Sequence, residues 1–435
     1  MVLHIDLFRA EKGSDVNIIY ESEKKRYSEK KWADEVIEFD REWRKDLTRV
    51  SLDQLQKLSV HHCVEFKKLL EKAIATSNEL KISLDAKRQE ALRKIGNIVH
   101  HSVPVHDDES YNEVIRTFGD CTATKKYSHR DLIVMIDGVD LARGSVVAGS
   151  RGYYLKGPAV LLEMAILHYG LRFLCDKKYV PLSPPLMMNQ EIMQEVAQLS
   201  QFAEELYHVS GSGDAYLIAT SEQPIAALHR GESFSEKDLK EPLRYVGISN
   251  CFRKEAGSHG RDTAGIFRVH QFQKIEQFVI TSPKDDHSWT EMENMISNAE
   301  EFFQSLEIPY RVVNMVSGEL NLAAAKKYDL EGWFPGSRAY RELVSCSNCT
   351  DYQSRRLRIK YCSLAPSLRF DKADHVHMLN STLCASTRTI CAILECHQTE
   401  TGIKVPKVLY PFLPSQYHGE IAFVKPAPID FENKA

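Results

Sequence analysis

Phe252-Arg253-Lys254-Glu255-Ala256-Gly257-Ser258-His259-Gly260-Arg261-Asp262-Thr263-Ala264-Gly265-Ile266-Phe267-Arg268-Val269-His270-Gln271-Phe272 is the stretch on which the reading of the chain turns. Upstream, Tyr245 to Phe252 has a strand pattern, with Val246, Ile248 and Cys251-Phe252 as its buried positions. Downstream, Phe267 to Phe278 alternates apolar and polar residues. Gly257, Gly260 and Gly265 punctuate the span between them. The pattern predicts two antiparallel strands joined by a long basic loop, not a phosphate-cradling loop before a helix. Arg253, Arg261 and Arg268 supply planar, permanently charged forks suited to phosphate oxygens. Glu255, on the same face as Arg253 by strand alternation, supplies an acceptor for a base or an amine. A hairpin with a solvated, charged tip is the plainer alternative.

With 435 residues the chain is long enough for two or three domains and one large core. Hydrophobic residues at 43% and charged residues at 27% are ordinary for a globular protein. The formal net charge of -4 excludes a generically basic nucleic-acid binder, so any such binding must come from local basic surfaces. Nothing in the sequence points to DNA. Several cysteines, Cys175, Cys384 and Cys391 among them, sit in apolar runs, the usage of a reducing compartment. Cys346-Ser347-Asn348-Cys349 is a lone CxxC without a second pair at zinc spacing. Met1 to Arg9 mixes charges into its apolar run, unlike a signal peptide, and no run of about eighteen apolar residues suggests a membrane span. A cytosolic location is expected.

The first hundred residues read as helical. Asn17 to about Arg44 is heavily charged, and Ser51 with Gln54 forms a capping pattern that predicts a fresh helix start. In the tract Val64 to Val99, Phe66, Leu70, Ala73, Ser77, Leu80, Leu84, Lys87, Ala91, Ile95 and Ile98 recur at spacings of three and four, a seam of coiled-coil type. Lys67, Lys68, Lys72, Lys81, Arg88 and Arg93 occupy other positions, as a solvated face or a nucleic-acid contact surface. Val103-Pro104-Val105 and the acidic run behind it mark a boundary, giving domains 1–105 and 106–435. Beyond it, helices are expected at Pro158 to Asp176, Ser288 to Gln304 and Thr387 to His397. Strands are expected at Tyr179 to Pro185, Tyr216 to Gln223, Tyr310 to Val316, Tyr340 to Ser345 and Leu357 to Tyr361. There is no steady strand–helix alternation, so the fold class is α+β rather than a parallel α/β sheet. Thr220, Glu222, Arg253, Glu255, Glu276, Glu342 and Ser345 interrupt apolar strands, and so many polar residues imply a polar cleft on the sheet or a set of structural ion pairs.

These segments together resemble the class II aminoacyl-tRNA synthetases, and within them the seryl-tRNA synthetases. Phe252 to Glu255, the long loop and Phe267 to Phe272 resemble motif 2, and Gly257 to Thr263 has the seryl form. Pro158 to Pro185 resembles motif 1, and Leu379 to Arg388 resembles motif 3. Thr220-Ser221-Glu222-Gln223-Pro224 and Arg341 to Asn348 are similar to the seryl enzymes as well, closest to the cytosolic eukaryotic form. The resemblance implies a class II antiparallel sheet flanked by helices and preceded by an antiparallel helical arm. It implies activation of L-serine by ATP, with Mg2+, and transfer to the 3′ end of tRNA(Ser). It leaves tRNA(Sec) open as a second acceptor, and implies a homodimer without a membrane. By similarity, Arg253 and Arg388 are catalytic, holding phosphates. Thr220, Glu222, Arg253, Glu276 and Asn380 bind serine. Glu255, Val269, His270, Gln271, Phe272, Glu342, Leu343, Val344 and Ser345 bind ATP, and Glu342 and Ser345 hold the magnesium ion. The arm's Lys67, Lys68, Lys72, Lys81, Arg88 and Arg93 become tRNA contacts. A non-catalytic or regulatory paralogue, and a ligase that charges a carrier protein, are the alternatives.

Two departures from the family stand out. The outgoing arm helix, read as Lys31 to Asp46, would span roughly 24 Å against roughly 54 Å for Val64 to Val99. An antiparallel pair cannot match those lengths: either the distal part of the seam goes unpaired, or the returning helix bends back at Ser77-Asn78, or Ser51 to Leu58 doubles as a partner, and weakened or altered tRNA binding with an intact adenylation site is expected. Glu395-Cys396-His397 stands where the family has Glu-Asn-Tyr, which bears on local packing.

Overall fold

A computed structural model describes residues 3–57, 64–197, 205–211, 213–255, 265–362 and 374–432, with side chains outside 46–57, 64–73 and 431–432. After the short helix α1 (Asn17–Lys25), helices α2 (Lys31–Lys57) and α3 (Val64–Arg93) form a hairpin. Lys94 lies over the Trp32 ring while Lys81 lies over Trp43, so the two run antiparallel.

The arm corrects the sequence reading. α2 has 27 residues and α3 has 30, about 40 and 45 Å at ~1.5 Å per residue, so the lengths match. Ser51 lies inside α2 and caps nothing: a capping pattern acts only where the preceding residues leave the helix, and here they continue it. α3 stops at Arg93, and Ile95 to Val99 continue as neither helix nor strand, with the Asn97 N–H bonded to the Leu322 carbonyl. The weakened tRNA binding inferred from unequal helices loses its premise. The seam is also different. Leu84, Arg88, Ala91 and Leu92 are buried, whereas Leu80 is 50% exposed and Lys87 is exposed. Arg88 is buried against Asp40 (3.0 Å) and Asp85 (2.5 Å) and lies 4.4 Å from the Trp43 ring centre, so it cannot serve as a phosphate contact. Asp40, itself buried, also pairs with Arg9 and Arg44.

The remainder of the chain is built on strands β1 (Glu113–Phe118), β2 (Val180–Leu182), β3 (Leu243–Phe252), β4 (Gln271–Thr281), β5 (Tyr310–Asn314), β6 (Lys326–Phe334), β7 (Ala339–Asn348) and β8 (His377–Ala385). They form one sheet in the order β1-β5-β6-β7-β8-β4-β3-β2. Every pairing is antiparallel except β2 with β3. The α+β expectation holds, and the quoted stretch does bridge the antiparallel pair β3–β4, although β4 begins at Gln271 rather than Phe267. Its loop 256–264, with Arg261, lies outside the described residues.

Other boundaries shift. The strand expected over Tyr216 to Gln223 covers only Ala215–Leu217, and Glu222 opens a helix instead. Leu357 ends the helix Tyr352–Leu357 rather than opening a strand. The polar run before motif 3's helix is strand β8.

One face of the sheet is covered by helices α4 (Pro158–Asp176), α5 (His287–Ser305) and α6 (Ser386–Cys396), which enclose Ile275, Val279, Leu330, Val344, Cys346 and Leu379. Burying each such side chain contributes about 1.5–3 kcal/mol. By length and composition α4 is apolar enough to cross a membrane, contrary to the sequence expectation. Its Leu162, Ala165, Ile166 and Leu174 are fully buried in this core. Residues 395–397 pack without conflict. Buried Glu395 accepts bonds from the His129 and Ser337 backbones and side chains, the Cys396 thiol donates to the Trp333 carbonyl, and the His397 ring bonds the Leu306 carbonyl.

Candidate active site

The opposite sheet face is polar in its middle. Strand register puts Lys274, Glu276, Asn380, Thr382, Ser345, Ser347, Lys327 and Asp329 on it. Two bulges shape it. Leu383 is extra in the β4–β8 pairing and Leu343 in the β6–β7 pairing. Each turns its apolar side chain into the core and re-aims its neighbour, bringing Thr382 opposite Glu276 and freeing Glu342 toward the cleft.

At one end stand the arginines. The backbone N–H of Arg253 donates to the His270 carbonyl (2.9 Å), and the His270 ring returns a bond to the Arg253 carbonyl (2.9 Å). These reciprocal bonds close the strand ends across the loop. The Arg253 guanidinium sits 5.4 Å from the Phe272 ring centre. Arg388, from the first turn of α6, sits 4.9 Å from the Phe267 ring centre and donates to the Glu342 carbonyl (3.1 Å). Arg268 donates to the Glu255 carboxylate (3.2 Å), and Glu255 itself has φ +53. A narrow cleft is lined by Arg253, Glu255, Phe267, Arg268, Phe272 and Arg388. Aromatic planes beside three guanidinium forks suit a planar base carrying phosphates.

At the other end lies a buried cluster of carboxylates. Lys274 Nζ is 2.5 Å from Glu276 Oε2, and the Thr382 hydroxyl donates to the same oxygen (3.2 Å). Glu222 accepts from Gln353 Nε2 (2.7 Å) and Asn380 Nδ2 (3.1 Å), while its backbone N–H donates to the Thr220 hydroxyl (3.2 Å). Burial, and then the charge of Glu276, push the Glu222 carboxyl up to about 7 against the pull of Gln353, Lys274 and Arg253. A small, doubly polar molecule with an ammonium and a hydroxyl matches this set.

At the arginine end, Glu342 lies 3.5 Å from Arg388. The crowded cleft walls raise its carboxyl, but Arg388, Lys327 and Arg253 outweigh them and bring it to about 2. Beside it, buried Asp329 pairs with Lys327 (3.1 Å) across from Ser345, and its Oδ1 has no hydrogen-bond partner among the described residues. Glu342, Ser345 and this orphaned oxygen are hard donors of the kind magnesium takes, fewer than a full shell, as for an ion that arrives with phosphates and water. Among the described residues no cluster of three or more His, Cys, Asp or Glu forms a self-sufficient metal cage.

The structure thus gathers Arg253, Glu255, Phe272 and Arg388 around the narrow cleft, sets Glu342 beside Arg388, and joins Thr220, Glu222 and Asn380 by hydrogen bonds close to the charge of Glu276. Leu343, Val344 and Val269 are buried, Val344 completely, and of the three only Val269 lines the narrow cleft. Gln271 falls on the other sheet face, where its amide reaches Asn250 (3.5 Å) beside a separate cavity of about 420 Å³. Sequence reasoning missed Lys274, Gln353 and Asp329. Period-two alternation from Phe272 and Glu276 would have found Lys274. Asp329 and Gln353 come from elements that only the fold brings near, and no local signal marks them. On the arm, Lys81 is half-buried over Trp43, Arg93 is half-buried, and the side chains of Lys67, Lys68 and Lys72 lie outside those described.

Comparison with known proteins agrees with this geometry. The family described as tRNA synthetase class II core domain (G, H, P, S and T) matches residues 207–397. The chain is 51% identical over 483 residues to the cytoplasmic serine–tRNA ligase of Oryctolagus cuniculus, covering 99% of this chain and 93% of that protein. Its fold is similar to the cytoplasmic serine–tRNA ligase of Naegleria fowleri solved with AMP (TM-score 0.89, 46% identity, 97% of this chain and 99% of that one). It is also similar to the seryl-tRNA synthetase of Pyrococcus horikoshii solved with ATP (TM-score 0.88, 38% identity, 97% and 100%). With 51% identity over 99% of its length to a cytoplasmic serine–tRNA ligase, and with arginines at one end of its polar face and carboxylates at the other, the chain belongs to the serine–tRNA ligase family.

Proposed function

We propose that each residue of the cleft plays the part its position suggests in a serine–tRNA ligase reaction. The chain is a cytoplasmic, ATP-using enzyme that couples serine to tRNA, as its family does. The observation that carries the residue assignments is the position of Arg253, close enough for its charge to act on both Glu222 and Glu342. In the first step a serine carboxylate oxygen attacks the α-phosphorus of ATP, and the bond to the bridging oxygen breaks, releasing pyrophosphate. Arg253 reaches both the carboxylate and the α-phosphate, lowering the barrier by holding the oxygens where charge accumulates. Arg388, held by Glu342 and Phe267, faces the far phosphates. Phe272 and the backbone of 269–271 flank the adenine, and Glu255 accepts from its amine. Glu342 and Ser345, with Asp329 behind them, would hold Mg2+, which screens phosphate charge when bound. Glu222 and Glu276 take the serine ammonium and hydroxyl with Thr220 and Asn380. In the second step a ribose hydroxyl at the tRNA 3′ end attacks the carbonyl carbon of seryl-adenylate, releasing AMP.

The hairpin α2–α3 is the tRNA grip, with Lys67, Lys68, Lys72, Lys81 and Arg93 as its phosphate contacts; Arg88 drops out. Two copies pair into a homodimer, and tRNA(Sec) serves as a second acceptor because the amino-acid pocket sees only serine. The test is serine-dependent ATP–pyrophosphate exchange beside charging of tRNA(Ser) and tRNA(Sec) transcripts, with and without Mg2+, on a sample sized by light scattering. Exchange and charging with serine alone support the reading. Exchange with another amino acid in place of serine overturns it.

A further inference from the structure

We propose that Asn97, at the foot of the helical arm, is a positioning residue for the amino-acid pocket, acting through the turn Asn348-Cys349-Thr350. Asn97 lies outside the cleft, on the link between α3 and the remainder of the chain, and is buried. Its side-chain amide donates to the carbonyls of Ala323 (2.8 Å) and Cys349 (2.8 Å) and to the Thr350 hydroxyl (3.0 Å). Its carbonyl is held in turn by buried Arg26 Nε (2.8 Å) and the Ser22 hydroxyl (3.2 Å).

The turn it grips is strained. Thr350 has φ +45, a conformation a β-branched side chain avoids and keeps only when its surroundings impose it. Backbone bonds with Met378 hold Cys349 and Thr350 in place, and two side chains brace the conformation: Asn97 on the hydroxyl, and Asn348, which accepts from the Thr350 N–H (2.9 Å). The pocket hangs from this turn on both sides. The Cys349 sulfur accepts from Asn380 Nδ2 (3.6 Å), whose amide also reaches Glu222 (3.1 Å). Directly after the turn, the helix Tyr352–Leu357 carries Gln353, which donates to the same Glu222 oxygen (2.7 Å). A Thr350 that relaxes toward negative φ swings Cys349 and Gln353 away from Asn380 and Glu222 together. The adenine and phosphate end, built from β3, β4 and α6, shares none of these bonds.

The inference rests on the reading of Glu222 and Asn380 as the serine pocket. The experiment is pyrophosphate exchange on the full chain without tRNA, comparing Asn97→Ala, the milder Thr350→Val, and Glu222→Gln. Asn97→Ala is expected to raise the serine KM about tenfold while the ATP KM stays within about twofold, and Thr350→Val to raise the serine KM about threefold with the same split. Thr350→Val loses only the hydroxyl, so it reads the brace even where Asn97→Ala fails to fold. Equal shifts in both KM values, or a lower melting temperature with both unchanged, overturn the inference and leave Asn97 a purely structural residue. An unchanged serine KM in Glu222→Gln instead overturns the pocket reading itself.

Discussion

Replacing Arg253 by lysine keeps the charge and loses the fork. A guanidinium can bind a carboxylate and a phosphate oxygen at once, whereas an ammonium is a single point on a flexible stem. Arg253→Lys is therefore expected to lower kcat for exchange by about a hundredfold or more, with a smaller change in the serine KM. Steady-state exchange kinetics check it. Glu222 carries a second prediction at this scale. Its carboxyl is pushed up to about 7, and the ionised form is the one that pairs with an ammonium. The serine KM should fall as pH rises through 7, and Glu222→Gln should flatten that dependence. For stability the sign is opposite. Between the ordinary value of 4.5 and about 7 the folded chain keeps a proton that the unfolded chain releases, so this group's contribution declines as pH rises through that window. Melting curves of the wild type and Glu222→Gln across the window separate the two effects.

At the scale of elements, Asp40 shows what the arm depends on. It is buried against Arg9, Arg44 and Arg88, and cations held so closely keep its carboxyl below the usual range although burial works against them. Asp40→Asn removes the charge and leaves the arginines facing one another, at a cost of about 3–5 kcal/mol typical of a broken buried pair. The loss should appear as earlier melting of the hairpin, by hydrogen exchange of α2 and α3, with exchange activity retained. This cluster also explains what the sequence could and could not show. The β3–β4 pair and the polar cleft were legible because strand alternation and turn chemistry are local, whereas Arg388 was marked only by the resemblance to motif 3. The arm was misread because Ser51 and Gln54 have the composition of a cap inside a continuous helix, and because the seam of α3 includes an arginine. Arg88 is polar by type and core by partnership, and its partner lies 48 residues away. Residues such as Asp329 and Gln353 enter the site through pairing and packing, which no spacing encodes.

At the scale of the whole molecule the question is how far the arm and the cleft act independently. Their junction is a set of buried hydrogen bonds. Arg26 reaches the carbonyls of Asn97, Asn321 and Ala324, the Tyr352 hydroxyl donates to the Ile95 carbonyl, and the Ser317 hydroxyl donates to the Lys25 carbonyl. All of these gather at the foot of the hairpin, and the ion pairs of Asp40 and Arg88 close it one level higher. Among the described residues, the tip of the hairpin contributes to neither set. Replacing residues 46–82 by a short turn keeps Asp40, Arg44, Leu84 and Arg88, and so keeps the foot intact. Serine-dependent exchange should then stay within about twofold of the full chain, because no group in the cleft loses a partner. Charging should fall by about a hundredfold or more, because the deleted segment carries Lys67, Lys68, Lys72 and Lys81, and each lost phosphate contact weakens binding in a salt-dependent way. The measurement is charging against tRNA concentration at two salt concentrations. Full-strength charging by the shortened chain would place the tRNA grip elsewhere. A parallel loss of exchange would mean that the tip, and not only the foot, holds the cleft in shape.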